Sequence, residues 1–163
     1  MLALVLGLSA CGDKGSIYLE EDYEYYDESF GHEGLSYWIF NHNSVLVFGS
    51  SDLNGEVAIP SKVKYEGSTY YVVGIGANAF KSCYGLTSVK IPSTVKVIGN
   101  GAFSSCRELT SVRIPKGVTE IGLQAFRGCR SLKSVEIPNS VKVIKYGAFS
   151  SCDNLRSITL PKN

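Results

Sequence analysis

The sequence contains no G-x-S-x-G, no glycine-rich phosphate loop, no H-E-x-x-H and no calcium-loop pattern. Nucleophilic, nucleotide-dependent and metal-assisted hydrolysis therefore lack the residue spacings they need. Histidine is scarce: His32 sits among acidic residues and His42 in a turn-forming stretch. General acid–base chemistry requires two positioned titratable groups. From Ile59 onward the only acids are Glu66, Glu108, Glu120, Glu136 and Asp153, and they share no common spacing. An enzyme is not expected, and neither is a cofactor. The absence of C-x-x-C argues against a metal site. No apolar run reaches the roughly 20 residues of a membrane-spanning helix. Basic residues are spread along the second part of the chain rather than gathered into one dense face, so nucleic acid is not an expected partner.

What the chain does have is a repeat. The segment Ile98 to Glu120, IGNGAFSSCRELTSVRIPKGVTE, recurs when shifted by 23 residues in either direction, and a fourth copy runs from Ile144 to Asn163. Phe80, Phe103, Phe126 and Phe149 share one position. So do Cys83, Cys106, Cys129 and Cys152; Leu86, Leu109, Leu132 and Leu155; and Pro92, Pro115, Pro138 and Pro161. A period in the twenties specifies a solenoid, in which each repeat covers the apolar side of its neighbours.

Within one copy, Leu109, Val112 and Ile114 have the L-x-x-L-x-L spacing of leucine-rich repeats. Val112 and Ile114 alternate with Ser111 and Arg113, placing the former inward and the latter outward. Pro115 ends the strand by removing a donor, and Lys116-Gly117 turns the chain. Val118 and Ile121 mark a second extended piece. Ala125-Phe126 begins a compact turn, or a single helical or 3-10 turn, that returns to the next Leu. On these residues the sequence resembles the BspA-like leucine-rich-repeat family of bacterial surface proteins, over Ile59 to Asn163. One departure is Lys145, where the other copies have Gly. The expected fold is a β-rich solenoid of 23-residue coils with short parallel strands.

The net charge of +1 hides a division. Asp13 to Gly34 holds eight acids against Lys14 alone, a net −7, while Ile59 to Asn163 holds fifteen Lys and Arg against five acids, a net +10. The solenoid cysteines form a ladder whose side chains point the same way from strands about 4.8 Å apart. A disulfide needs Cβ atoms about 3.8 Å apart and turned toward each other. The four are expected to be buried free thiols acting as small apolar residues.

Met1 to Ala10 is apolar, uncharged and too short to span a bilayer, and reads as a signal-peptide core. Leu8-Ser9-Ala10-Cys11 resembles the bacterial lipobox, which implies cleavage before Cys11 and a diacylglycerol on its thiol; residues 1–11 are then a lipoprotein signal. The alternative is a buried N-terminal strand with an ordinary Cys. Residues 12–34 are too charged for a packed core and are expected to be an acidic, tyrosine-rich tether or a recognition segment. Residues 35–58 carry two apolar runs, Tyr37 to Phe40 and Val45 to Phe48, around Asn41-His42-Asn43-Ser44. They are expected to form a β-hairpin that closes the N-terminal end of the solenoid, 59–163. Pro60 and Pro92 lie 32 residues apart, nine more than the period. The surplus reads as a hairpin turning at Glu66-Gly67. The chain stops before the second extended piece of the fourth copy, which fits a truncated or naturally short version of a longer design.

Function is expected to lie in a side-chain surface. The outward row Lys90, Arg113, Glu136 and Thr159, beside Ser88, Ser111, Ser134 and Ser157, is the candidate contact for an extracellular protein. Family resemblance implies adhesion to host, matrix or other cell-surface proteins. A second reading is a glycan-binding accessory protein using Trp38, Tyr65, Tyr70 and Tyr71, and a third is a spacer for a further domain. Under the first two the protein is a lipid-anchored monomer of the bacterial outer membrane or cell surface.

Overall fold

The computed structural model describes residues 28–49 and 52–160. The signal segment, Cys11 and most of the acidic stretch lie outside them. Among the described residues every regular element is a strand. Two strands come from each full repeat, as the alternation of apolar and polar residues requires. On one side, β4 (Gly55–Ala58), β7 (Leu86–Lys90) and β9 (Ser111–Arg113) form a parallel three-stranded sheet, and β11 (Ser134–Glu136) pairs with β13 (Ser157–Thr159) in the same sense. On the other, β8 (Val97–Ile98), β10 (Glu120–Ile121) and β12 (Val143–Ile144) extend a larger sheet in register. That sheet begins with β1 (Ser29–His32), β2 (Leu35–Asn41), β3 (Ser44–Phe48) and β6 (Ser68–Ile75), with β5 (Lys62–Tyr65) on β6.

Between the two sheets runs the repeat core. Phe80, Phe103, Phe126 and Phe149 stack with ring centroids 5.1, 5.1 and 5.3 Å apart and planes within 8° of parallel. The first three are fully buried, and Phe149 is half-buried. Each later cysteine thiol donates to the phenylalanine carbonyl of the preceding coil: Cys106 to Phe80 (3.0 Å), Cys129 to Phe103 (3.2 Å) and Cys152 to Phe126 (3.1 Å). None of the four ladder cysteines is in a disulfide. Cysteine thus packs in the core and also ties neighbouring coils together, a role that apolar packing alone did not suggest.

The compact turns differ from one expected alternative, because none of them is helical. The amides of Asn78, Phe80 and Ser82 donate to Asn100, Ala102 and Ser104 of the next coil (2.8, 2.7 and 2.8 Å), so they are unavailable for bonding within a helix. Two residues per repeat also take left-handed backbone: Asn78, Gly101, Gln124 and Gly147 at one position, Ser82, Ser105, Gly128 and Ser151 at the other. A left-handed residue every few positions breaks a right-handed helix.

The hairpin of β2 and β3 joins the solenoid through parallel pairing of β3 with β6. Tyr37, Val45 and Val47 are fully buried and pack in one cluster with Val63, Val72 and Ile75 of the first coil. The last residues of the stretch expected to be a tether, 12–34, are paired instead; the rest of it lies outside the described residues. Ser29–His32 is a strand antiparallel to β2, turned by Glu33 and Gly34 (φ 49° and 78°), and Phe30 is buried against Tyr65 (centroids 4.2 Å apart). Charge density hid the one apolar residue that anchors this strand. A second tight turn at Glu66 and Gly67 (φ 47° and 77°) joins β5 to β6, where the surplus residues called for a hairpin.

Candidate recognition groove

The outward side chains of β4, β7, β9 and β11 line a groove of about 920 Å³. Parallel pairing sets Ala58, Lys90 and Arg113 side by side, and Glu56, Ser88 and Ser111 in the next row. Val89, Val112, Ile91 and Ile114 also border the groove, but they are buried and fix the direction of the strands. Five of the eight row residues picked from the sequence line the groove: Ser88, Lys90, Ser111, Arg113 and Glu136. Ser134, Ser157 and Thr159 continue both rows on β11 and β13 but are not among the lining residues. The hydrogen-bonded ladder is not continuous, since β9 and β11 belong to separate sheets.

Glu56 and Lys116 also line the groove and were missed. Glu56 lies 32 residues before Ser88, so the repeat phase finds it only after the nine surplus residues are removed. Lys116 sits in the turn after the strand, where the pattern marks no direction.

The four aromatic residues of the glycan reading do not share one surface. Tyr65 and Tyr70 pack against the core beside Phe30. A hydrogen bond from its hydroxyl to Glu28, and then burial, raise the Tyr65 pKa. Trp38 is half-buried against Phe48 (4.1 Å), and Tyr71 is exposed.

Two charges depart from the repeat pattern and meet. Glu120 occupies the place of Val97 and Val143, and its side chain is only 5% exposed. Lys145, standing where the other copies have Gly, reaches back with Nζ 2.9 Å from Glu120 Oε1. Glu120 Oε2 is buried without a hydrogen-bond partner. Elsewhere, Arg107 lies over the Tyr84 ring (5.0 Å) and Arg130 pairs with Asp153 (3.4 Å). Burial first, then the neighbouring Cys152, pushes the Cys129 thiol up to about 12.

Residues 73–163, more than half of the chain, match the family described as BspA type Leucine rich repeat region, in six copies. No curated protein matches the chain. Among solved structures, a leucine-rich repeat protein from Bacteroides ovatus is 32% identical with a TM-score of 0.57, over 81% of this chain and 41% of that one. The chain thus spans about two fifths of that protein's length. A leucine-rich repeat protein from Bacteroides capillosus is 26% identical with a TM-score of 0.72, over 80% of this chain and 96% of that one. A protein described as a leucine rich cell surface protein, from Faecalibacterium prausnitzii, is 28% identical with a TM-score of 0.63, over 82% and 43%. These similarities indicate no enzyme family.

Proposed function

The chain belongs to the BspA-type leucine-rich repeat family, and we propose that it is a non-catalytic recognition protein of the bacterial surface that binds an extracellular protein through its groove. One observation carries this reading. At the inward strand positions Val89, Val112 and Val135, and Ile91, Ile114 and Ile137, the three full repeats are identical and the residues buried, whereas the outward Lys90, Arg113 and Glu136 differ in charge. The solenoid needs the former and leaves the latter free to encode a partner. The description of the Faecalibacterium protein as a cell surface protein supports the location. Family likeness supports adhesion to host, matrix or cell-surface proteins as the role.

On this reading a lipid on Cys11 anchors the chain to the outer membrane or cell surface. Cys11→Ala abolishes acylation and releases the protein from the membrane fraction; undiminished membrane recovery refutes the anchor. Protease shaving of intact cells reports which side it faces. The glycan reading is the weaker one, because Tyr65 and Tyr70 are committed to packing. Capture of matrix proteins by the soluble domain, run beside a glycan array, separates the two. Lys90→Glu with Arg113→Glu then weakens binding of the captured protein with little change in Tm. Unchanged affinity at low salt removes the groove as the contact.

A further inference from the structure

Three cations line the groove: Lys116 in the turn after β9, and Lys90 and Arg113, which are arranged in a way that the scaffold does not require. Lys90 and Arg113 are register partners on adjacent parallel strands, about 4.8 Å apart. Like charges in such positions repel. Both are exposed, and among the described residues neither forms an ion pair, unlike Arg130 and Lys145. Two residues back on the same strands, Ser88 and Ser111 are register partners on the same face. Acids flank this group. Glu56 sits beside Ser88 on the first strand, and Glu136 lies on the strand after Arg113. All six residues line the one groove.

This deepens the recognition reading above and rests on it. We propose that Lys90 and Arg113, with the hydroxyls of Ser88 and Ser111, form a subsite for a compact pair of carboxylates on an acidic peptide segment, and that Glu56 and Glu136 close its two ends against longer polyanions. Alternate residues of an extended peptide present side chains on one side, about 6.6 Å apart. A Glu-x-Glu segment therefore spans the two cations while its neutral flanks pass the two carboxylates. A sulfated polysaccharide repeats its charge along the whole chain; continuing past Arg113 it meets Glu136, and continuing past Lys90 it crosses Ala58 with Glu56 two residues back on the same strand. The site thus favours a short acidic stretch over a uniform polyanion, and relieves the Lys90–Arg113 repulsion by supplying the missing counter-charge.

The test is a low-salt NMR titration of the 15N-labelled full chain with the probe Ac-Ser-Glu-Ser-Glu-Ser-amide and, separately, with octaglutamate. The pentapeptide is expected to shift the amides around Ser88–Lys90 and Ser111–Arg113, and octaglutamate to bind no more than about threefold tighter, since exposed charge pairs add little each and the end carboxylates oppose. Glu136→Lys should raise octaglutamate affinity about three- to tenfold and pentapeptide affinity by less, so that the ratio of the two rises. Lys90→Gln with Arg113→Gln should lose both; if that variant fails to fold, the ratio measured with Glu136→Lys still decides. Octaglutamate far tighter than the pentapeptide in the wild type, an unmoved ratio in Glu136→Lys, or shifts centred on Lys133 and Arg156 would overturn the proposal. A captured protein indifferent to Lys90 and Arg113 refutes the groove as its contact while leaving this titration intact, so the two failures are distinguishable.

Discussion

The Glu120–Lys145 pair offers the sharpest test of how this solenoid holds together. Glu120 is 5% exposed, its Oε1 is held by Lys145 Nζ at 2.9 Å, and its Oε2 has no partner. The Lys145 side chain is 30% exposed, so its ammonium can turn to water if the carboxylate is removed. The two deletions are therefore unequal. Lys145→Met keeps the aliphatic stem but strands a buried carboxylate. Breaking a buried pair in this way costs about 3–5 kcal/mol; partial exposure of the lysine reduces this to roughly 2–3 kcal/mol. For a chain of this size that lowers Tm by roughly 4–12 °C. Glu120→Val, which restores the residue of the neighbouring copies, should cost less than about 1 kcal/mol or stabilise, since a buried ion pair often does no better than apolar packing. Combining Glu120→Val with Lys145→Met should recover most of the loss. Guanidinium unfolding of the four proteins, followed by circular dichroism, gives the cycle. Equal losses in the two single variants, or a coupling near zero, would show that the pair contributes no specific stability and that Glu120 is solvated. The loss should also change little with salt, because the pair is largely screened from solvent.

Phe126 is stacked on both sides and fully buried, so Phe126→Ala should cost roughly 3–5 kcal/mol, whereas Phe149, stacked on one side only, should cost clearly less; equal losses in denaturant melts would argue against nearest-neighbour stacking. In the domain without Cys11, a thiol reagent should find Cys83, Cys106 and Cys129 silent in the native state, Cys152 reacting first, and four free thiols after non-reducing unfolding; a count of zero or two would reveal disulfides. Burial holds Cys129 up to about 12, against an ordinary value of 9.0. A thiol raised on folding contributes full stability below its unfolded pKa and loses it as pH rises through the folded one. Wild-type denaturation midpoints should therefore fall between about pH 9 and 12. Cys129→Ala should fall less over that window, and parallel curves would refute the assignment.

The period, the direction of each strand and the stacked phenylalanines were legible because each copy's neighbours are nearly itself. A residue repeated every 23 positions must meet its own kind, and the only way to bury Phe103 in such a chain is between Phe80 and Phe126. The same logic puts Lys90 beside Arg113. What tertiary structure alone decided lies where the repeat breaks or where backbone bonds compete. Whether Ala125-Phe126 opens a helical turn depended on where its amides go. Phe126 donates to Ala148 of the next coil (2.8 Å), a partner that local propensity does not weigh. Lys145 stood in the sequence as a departure from the pattern, and Glu120 only as one acid among five. Only the stacking of β10 on β12 brings them to 2.9 Å, so that one irregularity neutralises the other. Phe30 was lost among acids, and Glu56 out of phase, because a hairpin insertion and a charged flank shift sequence distance without shifting the position of a strand in the sheet. A periodic sequence determines contacts between equivalent positions; the geometry of the stacked coils decides those between unlike ones.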